Sequence, residues 1–399
     1  MLRYMWCLLL LIFVSPLWAE KIVVRAKWML DVNTGELIHS PAILVDDGKI
    51  LKVTSGHAKS IAGEAKVIDL SDMYILPGLI DAHVHLAWAG QDPSEDARKT
   101  LMAGFTTVRN PGSTGQADLD LRNEIDSGKT LGPRMIVSGP GLGSKGGICD
   151  QVFSGEGVIQ TPAEARKIVQ NMAKMRVDFI KICAGGQVVP AAQDASTTEM
   201  TDSMVQAIVA EAHAHGLKVA SHAQGPDAIL QSVRAGVDSI EHAGMINDQA
   251  AALMKQNRTY LVPTLYRLQW LIENARQNNS PPSAIERLEA ARKMVYDNIR
   301  KAITVGVPIA FGTDATVYPH GLNAREFSVL VGLGMTPLAA IQTATIHASK
   351  LLGWQDKAGQ IREGYFADLI AVSENPLENI QTLENVRFVM KGGTIVKRP

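Results

Sequence analysis

The feature that most constrains the fold is an alternation that repeats eight times along the middle of the chain. A short apolar run typical of a buried strand precedes a longer segment each time, and several of these segments have helical spacing. The runs lie at 75–85, 105–110, 134–139, 178–184, 218–222, 239–242, 260–265 and 308–314. Continuous apolar strands separated by helices predict a parallel sheet. We therefore predict an α/β fold in which residues 75–358 form a (β/α)8 TIM barrel. The alternative is an open, doubly wound sheet, although no Gly-x-Gly-x-x-Gly follows the first strand to favour it.

Both ends of the chain have a different pattern, with short alternating strands and tight turns. An Asp-Asp-Gly turn lies at 46–48, and a Gly-Gly pair occupies positions 392 and 393. Such turns are typical of β-hairpins. We predict a small β-sandwich domain built from both termini, residues 20–74 and 359–399.

The first 19 residues are predicted to be a secretory signal peptide, cut after Ala19. Arg3 precedes an apolar run at 7–14 that is short for a membrane span. The expected location is therefore secreted or periplasmic, without stable membrane association after cleavage. An uncleaved anchor is the alternative. Removal of the segment leaves two cysteines, Cys149 and Cys183, too few for a disulfide framework in a chain this long.

The charge of the chain gives no indication of nucleic-acid binding. The net charge is −1, with 20% charged residues and no long run of like charge. These values are typical of a globular protein and give no reason to expect a nucleic-acid partner. The expected partner is a small-molecule substrate, and a homo-oligomer is left open.

Polar side chains lie at or near the ends of five of the eight predicted strands. Active sites of α/β barrels are built from the carboxyl ends of the strands. Imidazole and carboxylate groups at one such edge suit zinc and similar divalent metals. The candidate metal ligands are His83, His85, Lys181, His222, His242 and Asp314.

Each candidate also has a purely structural interpretation. A single histidine at a strand end is usually a hydrogen-bonded structural residue, but four of them with an aspartate favour a metal site. Lys181 interrupts an apolar strand, where a buried ammonium is costly and is expected to be paired or lowered in pKa. It either pairs with a buried acid or, as a neutral amine beside two metals, captures carbon dioxide as a carbamate.

With these residues the chain resembles the two-metal branch of the amidohydrolase superfamily, over nearly the whole mature length. The likeness is carried by "LPGLIDAHVH", Lys181, His222, His242, "GTDA" and "GYFADLIAV". The resemblance implies two divalent metals, with zinc expected. It implies that His83, His85 and Asp314 hold one ion, that His222 and His242 hold the other, and that carboxylated Lys181 and a hydroxide bridge them.

Within the superfamily the chain is most similar to the imidazolonepropionase-related, prolidase-like (Xaa-Pro type) dipeptidases. "TTVRN", "AGGQ", "AGVDSIEHA" and "TYLVPTLY" carry this closer likeness. There are two departures. Ile148, in "GGICD", stands where relatives tend to have a substrate-facing histidine, and Asn110 stands where Asp is common. The metal site is intact while the substrate pocket is altered.

The predicted function is that of a secreted binuclear hydrolase of amide bonds. The substrates are small and bear a carboxylate: dipeptides such as Xaa-Pro, or N-acyl amino acids. The bridging hydroxide attacks, and Asp314 carries the proton to the leaving amine. Expected substrate contacts are Tyr266, Gly186, Ile148 and Lys145, with Arg267 as a further candidate for the substrate carboxylate.

Two other functions remain open. The same machinery can act on another bond, such as that of a cyclic amide, lactone, carbamate or phosphoester. A non-enzymatic exported metal-binding protein is disfavoured by the complete ligand set. Single-metal deaminases are disfavoured because that branch generally lacks a lysine at the position of Lys181.

Overall fold

A computed structural model describes residues 21–56, 63, 65–88, 90–153, 155–187 and 197–399. The predicted signal peptide lies outside the described residues. Among those residues, no helix is both long enough and apolar enough to span a membrane.

The described chain has a mixed α/β fold. Its strands are, in chain order, β1 (Ile22–Leu30), β2 (Leu37–His39), β3 (Pro41–Asp46), β4 (Lys49–Ser55), β5 (Lys66–Pro77), β6 (Leu79–Asp81), β7 (Phe105–Asn110), β8 (Arg134–Val137), β9 (Phe179–Cys183), β10 (Lys218–Ala223), β11 (Ser239–His242), β12 (Tyr260–Val262), β13 (Leu369–Val372), β14 (Phe388–Lys391) and β15 (Thr394–Lys397).

Helices follow most of the middle strands. They are α1 (Pro93–Met102), α2 (Ala117–Asp126), α3 (Ile148–Val152), α4 (Pro162–Lys174), α5 (Asp202–Ala214), α6 (Pro226–Ala235), α7 (Asp248–Asn257), α8 (Tyr266–Gln277), α9 (Pro282–Val305), α10 (Arg325–Gly332), α11 (Pro337–Gln342) and α12 (Ala348–Leu351). A π-helical segment, Thr343–His347, joins α11 to α12, and a 3₁₀ helix covers Ile380–Asn385.

Strands from the two ends of the described chain share one sheet. Its order is β15-β14-β13-β5-β1-β3-β4, with β2 on β1. Strand β5 lies between the two ends, parallel to β1 and antiparallel to β13. The two predicted turns are found: Asp47 and Gly48 have positive φ at the β3–β4 hairpin, and Gly392 and Gly393 at β14–β15. Positive φ at both central residues is the geometry that favours glycine there.

The middle strands pair in parallel, as the sequence predicted. They form two groups, β6-β7-β8 and β9-β10-β11-β12. Single parallel bridges continue the pairing, from Leu142 to Ile182, from Leu261 to Ile309 and from Ala315 to Val84. The carboxyl ends of these middle strands therefore lie at one edge, where the candidate ligands are.

The predicted eighth strand, 308–314, makes a bridge at Ile309 but no extended ladder. The N–H groups of Thr313 and Asp314 both donate to the carbonyl of His83, and Asp314 has a φ of +59°. A left-handed residue breaks the regular alternation of strand hydrogen bonds, so the chain here follows its neighbour without forming a full strand.

The predicted first strand, 75–85, is divided between the two sheets. β5 ends at Pro77 and β6 begins at Leu79. A Cβ on the intervening Gly78 would lie 2.2 Å from Thr106 Oγ1, so the close approach of β7 requires glycine there. Strand β5 continues across the domain boundary predicted at 74–75. The division into domains stays a prediction.

The helical stretch from α11 to α12 is interrupted by its π-helical segment. The N–H of Phe311 donates to the carbonyl of Thr343. The Thr343 carbonyl thus accepts a hydrogen bond from outside the helix. A group that inserts into the hydrogen bonds of a helix is a common cause of irregular turns.

Candidate active site

The six predicted metal ligands converge at the carboxyl edge of the parallel strands. His83 and His85 follow β6, Lys181 lies in β9, His222 in β10, His242 ends β11, and Asp314 follows the irregular eighth segment. Each has at most 8% of its surface exposed. All six line one cavity of about 390 Å³.

Ring and atom distances show how close these side chains are. The ring centroid of His83 lies 5.3 Å from that of His85 and 4.9 Å from that of His242. The ring centroids of His222 and His242 are 4.6 Å apart. Asp314 Oδ1 lies 3.4 Å from His83 Nε2 and 3.5 Å from His85 Nε2. Donor atoms of His83, His242 and Asp314 all lie within 4.8 Å of one another, which is compatible with one shared ion.

Every one of the four imidazoles has one ring nitrogen held by the protein. Glu241 holds His83 Nδ1 at 2.7 Å, and the Thr264 hydroxyl holds His242 Nδ1 at 2.7 Å. Backbone carbonyls hold the other two at 3.3 Å: that of Gly112 holds His85 Nδ1, and that of Gly186 holds His222 Nε2. The second nitrogen of each ring is left for a metal, which is the usual arrangement around ligating histidines.

Burial keeps three of the imidazoles, those of His85, His222 and His242, neutral, as metal ligands must be. It is the largest cause that lowers the pKa of His85 and of His222 to about 3. Burial also places the pKa of His242 well below its ordinary value, with His222 adding to the effect. Neutral imidazole has a lone pair to donate, so these residues are ready to bind a cation.

Lys181 is the one lysine among the described residues that line this cavity. Burial is the main cause that lowers the pKa of its ammonium to about 8, while the nearby Glu241 carboxylate acts in the opposite direction. An appreciable fraction of the amine is therefore uncharged near neutral pH.

Asp314 remains ionised despite its burial. Burial acts most strongly, to raise its pKa, but the hydrogen bond and charge of His83, followed by the charge of Arg267, together lower the pKa below its usual value. Arg267 Nε is 3.6 Å from Asp314 Oδ2 and donates to the carbonyl and hydroxyl of Thr264.

Three residues of the site have left-handed backbone although none is glycine. The φ angles are +72° at His242, +50° at Thr264 and +59° at Asp314. Such conformations are uncommon outside glycine and cluster at functional sites. Here they turn side chains that follow the strands back toward the cavity.

Sequence reasoning missed a buried ion pair behind the ligands. Glu241 Oε1 accepts hydrogen bonds from Arg109 Nη2 at 2.8 Å and from the Ser239 hydroxyl at 2.6 Å, while its Oε2 contacts His83. Arg109 Nε donates to the carbonyl of Ala82 at 2.6 Å. Burial opposes the charge of Glu241, but Arg109 and then His83 outweigh it and lower the pKa to about 2. The available signal was a charged residue inside each of two apolar strands, the same signal that identified Lys181.

The expected substrate contacts lie in different places. Ile148 lines the cavity, and Gly186 lies beside it, bound to His222. Lys145 is exposed. The Tyr266 hydroxyl contacts Arg325 Nη1 at 2.6 Å and lines a separate surface cavity, so its position differs from the expected one. The next residue, Arg267, is the one that lines the cavity of the metal ligands.

A disulfide joins Cys149 to Cys183 at the wall of this cavity. The sequence indicated that two cysteines were too few for a framework of several disulfides. The structure has a single disulfide between them, which that reasoning did not predict. It was missed because the pair is brought together by the fold, across a sequence separation of 34 positions.

Comparisons with known proteins identify the family of the chain. Residues 74–396 match the model of the amidohydrolase family. The chain is 35% identical to a crystal structure of a Xaa-Pro dipeptidase with methionine bound in its active site, at a TM-score of 0.87, covering 95% of this chain and 100% of that one.

Two curated enzymes are more distant relatives. Ochratoxinase of Aspergillus niger is 26% identical over 95% of this chain and 87% of its own length. Imidazolonepropionase of Idiomarina loihiensis is 25% identical over 87% of this chain and 89% of its own. The protein is thus a hydrolase of C–N bonds, and the chain belongs to the amidohydrolase family.

Proposed function

We propose that this protein is an exported, binuclear metal-dependent hydrolase that cleaves amide bonds of small carboxylate-bearing substrates. Dipeptides such as Xaa-Pro and N-acyl amino acids are the substrates that fit best. The observation that carries the proposal is the set of four buried imidazoles, each fixed through one nitrogen, around Asp314 and Lys181.

The donor chemistry of this set fits zinc or a similar divalent ion, which prefers imidazole nitrogen and carboxylate oxygen. In the assignment we propose, one ion would be held by His83, His85 and Asp314 and the other by His222 and His242, with Lys181 serving both. The closeness of His242 to His83 and Asp314 would then make the two ions neighbours. When bound, such ions lower the pKa of water toward neutrality and polarise a carbonyl.

Lys181 suits this shared position as a carbamate. An amine with a pKa of about 8 is neutral often enough to add carbon dioxide, which gives an anion with two oxygens. The carbamate would remove the cost of a buried ammonium, because it places a negative group among metal ligands.

Asp314 is proposed to move the proton of the reaction. Its carboxylate stays ionised at neutral pH, so it can accept a proton and deliver it to the nitrogen of the leaving amine. Arg267 is proposed to orient the substrate carboxylate, since its guanidinium is an always-charged group lining the cavity beside Asp314.

The bond cleaved is argued from relatives and from the cavity. The relatives include a Xaa-Pro dipeptidase and an ochratoxinase, and the cavity contains the Arg267 guanidinium beside the Asp314 carboxylate. The second candidate function is the same chemistry on a cyclic amide, lactone, carbamate or phosphoester. This second function is retained because of Ile148. It lines the cavity at the position where relatives tend to have a substrate-facing histidine, so the substrate can differ from theirs.

Export and the detailed fold belong to the same proposal. The Cys149–Cys183 disulfide supports export, because disulfides persist in oxidising compartments and are rare in the cytosol. The parallel bridges between successive strand groups support a (β/α)8 TIM barrel, and the shared sheet of both ends supports a small β-sandwich domain beside it.

The test combines metal analysis with hydrolysis. Protein produced with added zinc is expected to contain close to two metal equivalents and to release amines from a panel of dipeptides and N-acyl amino acids. Asp314→Asn serves as the matched inactive control. A ceiling of one metal equivalent would refute the binuclear site, and cleavage confined to lactones or phosphoesters would select the second function.

A further inference from the structure

A small apolar cluster forms one side of the metal-ligand cavity and is separate from the main core. It comprises Ile148, Cys149, Phe153 and Cys183, with Trp88 and Val152 packed against them. We call these six residues the apolar wall. All of them except Cys149 line the cavity directly.

The wall is built on a segment too short to hold itself in place. Helix α3 has five residues, and a helix of that length has little stability of its own. Its position depends on two attachments. The disulfide ties Cys149 to Cys183, at the end of the strand that carries Lys181, and the Glu199 carboxylate accepts the N–H of Ile148 at 3.0 Å.

Glycines elsewhere in the fold make room for this arrangement. A Cβ on Gly112 would lie 2.2 Å from the Phe153 ring, and one on Gly141 would lie 2.7 Å from both Cys149 Sγ and Phe153. The φ of +116° at Gly112 adds a second reason for glycine there. The surrounding backbone is therefore shaped to receive the ring and the disulfide together.

The wall stands beside the metal ligands and carries no charge. The ring of Trp88 lies 4.8 Å from that of His85, and Phe153 lies 5.9 Å from Trp88 and 6.2 Å from His85. Apart from the six candidate ligands, Arg267 is the only charged residue among the described ones that line the cavity. A substrate group on the wall would thus lie beside the metal ligands and would contact no charged side chain of the wall itself.

We propose that the apolar wall is the subsite for a bulky, uncharged group flanking the scissile bond, aromatic or branched, and that the Cys149–Cys183 disulfide holds this subsite in shape. The inference rests on the proposed amide hydrolysis and narrows its substrate class. A charged side chain is excluded from the subsite because its burial there without a partner is costly. Reduction of the disulfide releases α3 and weakens the preference.

The test measures binding, independently of turnover, with three simple carboxylates on the zinc-loaded protein. Calorimetry compares propanoate, 3-phenylpropanoate and 6-aminohexanoate. 3-Phenylpropanoate is expected to bind at least about 10-fold more tightly than either of the others, since even one methylene in an apolar pocket is worth ~10-fold or more. Equal affinities for the three would overturn the subsite.

Two variants test whether the preference for 3-phenylpropanoate arises at the apolar wall. Ile148→Ala is expected to remove most of the preference, whereas Leu131→Ala, at an exposed apolar side chain that does not line the cavity, leaves it unchanged. An unchanged preference in Ile148→Ala would also refute the proposal.

The disulfide is tested by tris(2-carboxyethyl)phosphine and by the Cys149→Ser/Cys183→Ser double variant. The reductant is expected to lower the preference of the parent protein and to have no further effect on the double variant. A preference that survives reduction, with both thiols shown to be free by alkylation, refutes the role of the disulfide. Should the probes show the preference while no amide in the panel is cleaved, the proposed hydrolysis fails and the subsite stands.

Discussion

The buried carboxylate behind His83 offers the sharpest test of how the site is held. Glu241 contacts His83, Arg109 and Ser239 at 2.6–2.8 Å, and it has no exposed surface. Glu241→Gln keeps the shape of the side chain and removes its charge. We expect two separate consequences, one for metal affinity and one for folding.

The magnitudes follow from the two contacts. Loss of a carboxylate that orients a ligating histidine typically costs about 10- to 100-fold in metal affinity. This corresponds to about 1.4–2.7 kcal/mol. The same change leaves the Arg109 guanidinium buried without its counter-ion, and breaking a buried pair costs about 3–5 kcal/mol of unfolding free energy.

A double variant separates the two effects. Arg109→Met/Glu241→Gln removes both charges, so it is expected to recover stability. The recovery is only partial, because replacing Arg109 also removes its hydrogen bond to the carbonyl of Ala82. Zinc affinity is not expected to recover, because His83 still lacks its carboxylate partner. Competition with a chromophoric chelator measures the affinity, and urea unfolding of the metal-free protein measures the stability. Parent-like zinc affinity in Glu241→Gln would refute the reasoning.

Three further predictions concern export and the reaction. N-terminal sequencing of the mature protein is expected to begin at or near Glu20; soluble cytoplasmic protein that retains Met1 would contradict export. Lys181→Ala is expected to lose activity and to regain part of it with added short carboxylic acids, which replace the bridging group; a fully active Lys181→Met with both metals would show that the lysine is only structural. Asp314→Asn is expected to lower turnover on every substrate by at least ~100-fold, the lower end of what a general acid–base group contributes; its kcat close to that of the parent would exclude the proton transfer assigned to Asp314.

The sequence predicted that the candidate ligands lie close together, because parallel strands repeat one simple geometry. Strand ends that share an edge bring His83, His222 and His242 together wherever the helices lie. Glu241 escaped this reasoning. It precedes His242 by one residue, and alternation predicts opposite directions for the two side chains. The left-handed φ of +72° at His242 turns that residue back, so both serve the same site.

Other features depended on contacts between distant segments. The apolar run at 75–85 gave no sign that it serves two sheets, because Pro77 and Leu79 are equally apolar on either side of the division at Gly78. Likewise, the pairing of Cys149 with Cys183 follows from where α3 packs against β9, which no local pattern encodes. The placement of Tyr266 and Arg267 depended on the exact start of α8.

The position of β5 has a consequence for how the protein is made. One edge of this strand pairs with β1, near the start of the described chain, while the other waits for β13, at Leu369–Val372. At typical rates of synthesis, the interval between the two on the ribosome is about 15–60 s. During that time the nascent chain carries an unpaired strand edge, which is open to pairing with other chains. The strands that carry the candidate ligands are all synthesised within this interval, so the shared sheet becomes complete only after β13, β14 and β15 have emerged.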